Sequence, residues 1–177
     1  MKKLYLLLTA LLVIALAGCG SHRLADYAGT KPKFDLKQYF DRPVIAHGVI
    51  TDRSGKVTRS MVVNIKSTWN GDVGTLDEDF VYSDGKKEKR VWTIKKNGDS
   101  YVGTAADVVG EAKGEAVGNA FTWKYVLAFK TDDGKIYNID LDDWMWQIDD
   151  KVVINRAEFS KFGIKLGEII ITFTKLP

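Results

Sequence analysis

Four charged side chains fall in register with apolar neighbours, and they are where this 177-residue chain could do chemistry. Arg59 is in phase with Met61 and Val63, Glu78 stands between Leu76 and Phe80, Arg90 is in phase with Trp92 and Ile94, and Arg156 shares a face with Val152 and Ile154. A charge on an apolar face must meet a counter-charge, water or a ligand, because burying it unpaired is costly. One chemistry that satisfies this is recognition, with arginines holding the carboxylate or phosphate head of an amphiphile. The other is structural: an Arg–Glu pair closing one end of the fold, or charges at a solvated strand end. Register alone leaves both open. The aromatic set Trp123, Tyr125, Trp144 and Trp146 has the same double meaning. Large apolar bodies with polar handles suit a pocket for acyl or ring-bearing ligands, and they suit a filled core equally well.

Catalytic patterns are sparse. His22 and His47 stand far apart, so no histidine cluster is available for metal ligation. The acidic runs Asp132-Asp133, Asp140 to Asp143 and Asp149-Asp150 do not follow the spacing of a calcium loop and read as turns and solvated faces. No nucleophile elbow or His-centred triad is visible. Neither a cofactor nor a metal site is expected, and the chain leans away from enzymes. A carboxylate-based activity on membrane-derived lipids, using Glu78 or Asp107, is the remaining catalytic alternative.

Cys19 is the only cysteine. It follows Lys2-Lys3, an apolar stretch from Leu4 to Leu16, and the small residues Ala17 and Gly18. That stretch is shorter than the roughly 20 apolar residues that span a bilayer, and it fits the apolar core of a secretory signal. Leu16-Ala17-Gly18-Cys19 resembles the lipobox of bacterial lipoproteins. The resemblance implies that residues 1–18 are a removable signal-peptide helix and that the Cys19 thiol accepts a diacylglyceryl group. It also implies that the new amino terminus is acylated. Gly20 stands where an Asp would retain such a protein in the inner membrane, so the outer membrane, facing the periplasm, is the expected location. Residues 19–33 read as a lipidated tether. Fully extended, Gly20 to Lys33 would reach roughly 45 Å at about 3.3 Å per residue.

Without the signal, 24 Lys and Arg oppose 23 Asp and Glu, a net charge of +1. That balance gives no basic stripe for nucleic acid. The elements that must carry the inward charges are strands. Ser54-Gly55, Asn70-Gly71, Asp84-Gly85, Asn97-Gly98, Gly118-Asn119 and Asp133-Gly134 punctuate the chain at short intervals, each a tight-turn signal. Between them side chains alternate with a period of two, as in Phe121, Trp123, Tyr125, Leu127 and Phe129 against Thr122, Lys124 and Lys130. Gly103, Gly110, Gly114 and Gly118 fall in the middle strands, where glycine marks bulges or close backbone approach. Roughly nine or ten antiparallel strands over residues 34–177 predict an all-β up-and-down meander closing into a lipocalin-like barrel. Polar residues on most outward positions of this pattern fit a barrel in water better than one in lipid.

The runs FDLKQYF (34–40), AHGVITDRSGKVTRSMVVNIK (46–66) and the stretch from Trp92 to Leu127 resemble a family of bacterial lipoproteins known as domain of unknown function 3833. The resemblance implies a periplasm-facing, lipocalin-like lipoprotein and no established activity. The expected function is therefore an envelope lipoprotein anchored at Cys19 and binding a fatty acid or lipid in its barrel. Arg59, Glu78, Arg90, Trp123, Tyr125 and Arg156 are the candidate ligand contacts. The alternative is an accessory envelope protein whose barrel exterior docks a partner.

Overall fold

The computed structural model describes residues 23–177. The expected signal peptide, Cys19 and the first residues of the tether lie outside them. Ten strands follow one another: β1 (Val44–Asp52), β2 (Val57–Asn70), β3 (Val73–Tyr82), β4 (Lys87–Asn97), β5 (Ser100–Thr104), β6 (Ala112–Val117), β7 (Ala120–Lys130), β8 (Ile136–Gln147), β9 (Val152–Lys161) and β10 (Ile164–Lys175). Each is antiparallel to its chain neighbours, and β10 returns to pair with β1, closing the barrel in up-and-down order. Closure leaves neither terminal strand as a free sheet edge, which is how a meander this long avoids templating other chains.

All six predicted turn dipeptides sit in hairpin connections. In the β3–β4 turn Gly85 has φ 83°, a left-handed conformation that glycine adopts without a Cβ clash. The β9–β10 turn lacks such a signature. There Phe162 (φ 52°) and Gly163 (φ 75°) both take positive φ, as a tight primed turn requires. Phe162 is 87% exposed at this tip.

The barrel is packed at one end and hollow at the other. The packed end carries the β2–β3, β4–β5, β6–β7 and β8–β9 turns and is stoppered by Phe34 to Phe40. Within that segment a single helical turn, α1 (Leu36–Tyr39), is capped by Asp35, whose Oδ1 accepts the Lys37 and Gln38 N–H groups at 3.0 and 3.3 Å. Phe34, Leu36, Tyr39 and Phe40 are all buried, and the Tyr39 hydroxyl lies 3.0 and 3.1 Å from the Lys151 and Phe173 carbonyl oxygens. The spacing of the FDLKQYF run fits a short helical turn as well as an extended segment; the structure has the helical turn, and the run plugs the barrel.

Beneath the hollow half, Trp123 fills the narrow side of the barrel. A Cβ on Gly114 would stand 2.1 Å from Trp123 Cε3, and one on Gly103 2.4 Å from its Cζ2. These glycines therefore make room for an indole where β5 and β6 pass over it. Gly114→Ala is expected to cost about 1–3 kcal/mol, as overpacking does. Denaturant unfolding checks it, and a loss below a few tenths would mean the indole moves freely.

Residues 23–33, expected as tether, lie against the wall. Leu24–Tyr27 form a 3-10 turn. Tyr27 packs on Trp144 and Trp146 with ring centroids 6.0 and 6.4 Å away. The Asn119 N–H donates to Thr30 Oγ1 at 2.8 Å, and Lys33 pairs with Asp99 at 2.8 Å. A Cβ on Gly118 would fall 1.9 Å from the Tyr27 carbonyl oxygen, so this glycine serves the docking of the leader segment.

Candidate functional site

The inward residues divide by height. Toward the plug Val63, Ile65, Leu76, Ile94, Phe121 and Val153 are buried, and all of these but Val153 also border the lower end of the cavity. Toward the other end Ile50, Phe80, Tyr82, Leu127, Ile139, Phe159 and Ile169 line a cavity of about 870 Å³. Pockets for small molecules run to about 300–1,000 Å³, so the space is large enough for an acyl chain. Its mouth is rimmed by exposed apolar side chains, among them Phe129, Tyr137 and Leu166.

A polar group lies where core gives way to cavity. Glu78 on β3 and Arg90 on β4 are register partners. Arg90 makes a forked contact with Asp107, Nε to Oδ2 at 2.9 Å and Nη2 to Oδ2 at 2.7 Å. The backbone explains the fork. β4 pairs with β5 only from Thr93 to Asn97, so its mouth-side half has no strand on that flank. The 105–111 loop fills the breach: the Ala128 N–H donates to the Asp107 carbonyl at 2.8 Å and the Val109 N–H to Val126 at 2.9 Å. The ion pair then ties this loop to β4.

On the opposite wall Asp143 of β8 is 7% exposed and accepts a hydrogen bond from the Asn155 side chain of β9. β3 and β8 are five strands apart in either direction around the ring, so Glu78 and Asp143 come from diametrically opposed strands. Burial pushes the Asp143 carboxyl up to about 8, opposed by the Asn155 bond and reinforced by the charge of Glu78. Burial likewise lifts Glu78 to about 7, with Arg90 pulling it down and Asp107 pushing it up. Tyr125, between them in chemistry, is held well above the usual phenol range by burial and by Asp143.

Of the residues singled out by register, Arg59, Glu78, Arg90, Trp123 and Tyr125 all border the cavity. Arg59 stands at its rim, paired with Asp84 at 2.8 Å and lying 3.5 Å over the Tyr82 ring. Trp123 is part of the packed floor, 5.7 Å from Trp92 between ring centroids. Arg156 is a correction. It projects outward in phase with Ile154, 39% exposed, and its Nε bonds Glu168 at 3.0 Å. The run Val152-Val153-Ile154 is apolar in both phases, so alternation did not tell the faces apart there. Trp144 and Trp146 also lie on the outer face, stacked at 5.9 Å beneath Tyr27.

Sequence reasoning missed Asp143 and Asn155. Asp143 was read with its acidic run as solvated, although Leu141 and Met145 two positions to either side mark its phase as inward.

A closed antiparallel barrel, stoppered at one end and hollow above a polar floor, is a chambered barrel of lipocalin-like character. Residues 13–175 match the family described as Protein of unknown function (DUF3833), and the chain belongs to it. No curated protein matches the chain significantly.

Proposed function

We propose that this protein is an envelope lipoprotein, anchored through Cys19 to the periplasmic face of the outer membrane, whose barrel holds a long-chain amphiphile. The observation that carries the ligand is the cavity: apolar walls of about 870 Å³ over a floor of hydrogen-bonding and ionisable groups. Apolar walls favour an acyl chain at about 0.8 kcal/mol per buried methylene, while the polar floor gives a head group its place. The anchoring half of the proposal rests on the lipobox resemblance. It gains a geometry from the docked leader. Three residues lie between Cys19 and Arg23, so the two are at most four residue steps apart, roughly 13 Å of extended chain, and Tyr27 packs beside the β6–β7 turn at the plugged half. A lipid on Cys19 would hold the barrel by that half.

Native mass spectrometry of the protein extracted gently from its own membranes tests both parts. The expected result is a chain beginning at an acylated Cys19, with a noncovalent adduct of lipid mass that is released by organic extraction. Replacing Leu127 and Ile139 together with tryptophan should abolish the adduct and spare the acylation. An adduct-free wild type would sink the ligand half and leave an accessory, partner-docking role. An unprocessed, unacylated amino terminus would sink the anchor.

A further inference from the structure

The cavity floor has more carboxyl groups than cations. Three acidic side chains face it, Glu78 from β3, Asp107 from the 105–111 loop and Asp143 from β8, against the single guanidinium of Arg90 from β4. That guanidinium is already engaged by the forked contact with Asp107. The other charged and titratable groups around the chamber stand nearer the mouth or are neutral. Arg59 of β2 is committed to Asp84 at the rim. On β3 the Tyr82 hydroxyl donates to Glu88 of β4 at 3.0 Å. Tyr125 and Lys130 of β7, Tyr137 of β8, Lys89 of β4 and Lys161 of β9 complete the set. Lys89 is bound to Asp77 at 2.6 Å, and Lys161 bonds the Asn138 carbonyl. Among the described residues, Arg90 is the cation whose charge acts on both Glu78 and Asp143.

Such a floor is the reverse of a fatty-acid site, in which a spare cation awaits a carboxylate. Above about pH 8, where Glu78 and Asp143 are both ionised, a second carboxylate brought in by a ligand would be repelled by them. A cation would supply the counter-charge that their strands do not. The partly buried rings of Phe80, Tyr125 and Phe159 also border the space, and aromatic faces attract ammonium groups. We propose that the floor binds the ammonium head of a single-chain amphiphile between Glu78 and Asp143, with the tail running up the apolar walls to the mouth. This rests on the reading of the barrel as an amphiphile-binding chamber and names the head group that chamber selects.

Isothermal titration of the purified full chain with three twelve-carbon probes tests it: dodecyltrimethylammonium, dodecanoate and dodecanol, each below its micelle concentration. At pH 8.5 the ammonium should bind at least about tenfold more tightly than dodecanoate, since a desolvated charge pair is worth more than 1.4 kcal/mol. Lowering the pH to 6 should erode that preference as Glu78 and Asp143 take up protons, while dodecanol binding stays constant. The probe's quaternary nitrogen does not titrate, so the change reports the protein. Glu78→Gln should remove most of the preference, weakening the ammonium far more than it changes dodecanol; Asp143→Asn should do the same where it folds. Dodecanoate binding as tightly as the ammonium, or a preference that Glu78→Gln does not alter, would overturn the proposal while leaving the chamber an amphiphile site. Failure of all three probes to bind would overturn the chamber reading itself, and this inference with it.

Discussion

Phe34→Ala is expected to cost the domain about 3–5 kcal/mol, the usual range for removing a fully buried phenylalanine. Phe34 is 0% exposed and lies 5.6 Å from Phe121 and 6.1 Å from Tyr39 between ring centroids. Its main-chain N–H donates to the Gly118 carbonyl at 2.7 Å, so the backbone beneath the ring cannot collapse inward to refill the void. The loss combines the transfer of the ring from water with contacts forfeited around an unfilled space. Urea unfolding measures it. Phe162→Ala provides the contrast, because that ring is 87% exposed at a hairpin tip and should change stability by less than about 0.5 kcal/mol. If Phe34→Ala were as mild as Phe162→Ala, the plug would not belong to the barrel's cooperative unit.

The second large effect is on pH. An Asp143 carboxyl raised to about 8 holds, between pH 4 and 8, a proton that the unfolded chain has released. Folded-state proton binding then exceeds unfolded-state binding, so stability falls as pH rises through that window. Glu78, raised to about 7, acts with the same sign over the lower part of it. The groups with lowered values, such as Asp35, Asp84 and Glu168, act with the opposite sign, but their contribution disappears only as the solution becomes acid enough to protonate carboxylates. They leave the window from pH 5 to 8 to Asp143 and Glu78. Across it the unliganded protein should lose about 2–4 kcal/mol of unfolding free energy. Asp143→Asn keeps a hydrogen-bonding partner for Asn155 and removes the ionisation, so it should flatten most of the slope and be the more stable protein at pH 8. Urea midpoints at pH 5, 6.5 and 8 give the answer. A wild-type profile already flat would mean that Asp143 is ionised in the folded state. A bound cation on the floor would flatten it too, by supplying the counter-charge, which is why the protein is to be freed of lipid first.

Much of this architecture was legible in the chain. Alternation set the inward faces of β2, β3, β4 and β7, and with them the cavity positions of Arg59, Glu78, Arg90 and Tyr125. It succeeded there because polar and apolar residues mostly take turns, with single valines such as Val62, Val81 and Val91 out of phase, so a phase error would have exposed a whole row. It failed for Arg156, where neighbouring valines and isoleucine fill both phases of β9. The β9–β10 turn was hidden for a different reason: Phe162 adopts a left-handed conformation that its residue type does not advertise.

The sequence by itself determined that this is an antiparallel meander with charges in phase with its apolar face, because period-two alternation and turn glycines are local properties. Only the tertiary structure decided which of those charges meet. Asp107 meets Arg90 because β5 and β6 stop short and a loop crosses the breach, and Asp143 opposes Glu78 because ten strands close into a ring. Likewise only packing showed that Phe34 to Phe40 stopper one end and so leave the other hollow. Charge balance in a lumen depends on which residues meet across it, and neither propensity nor spacing along one strand carries that information.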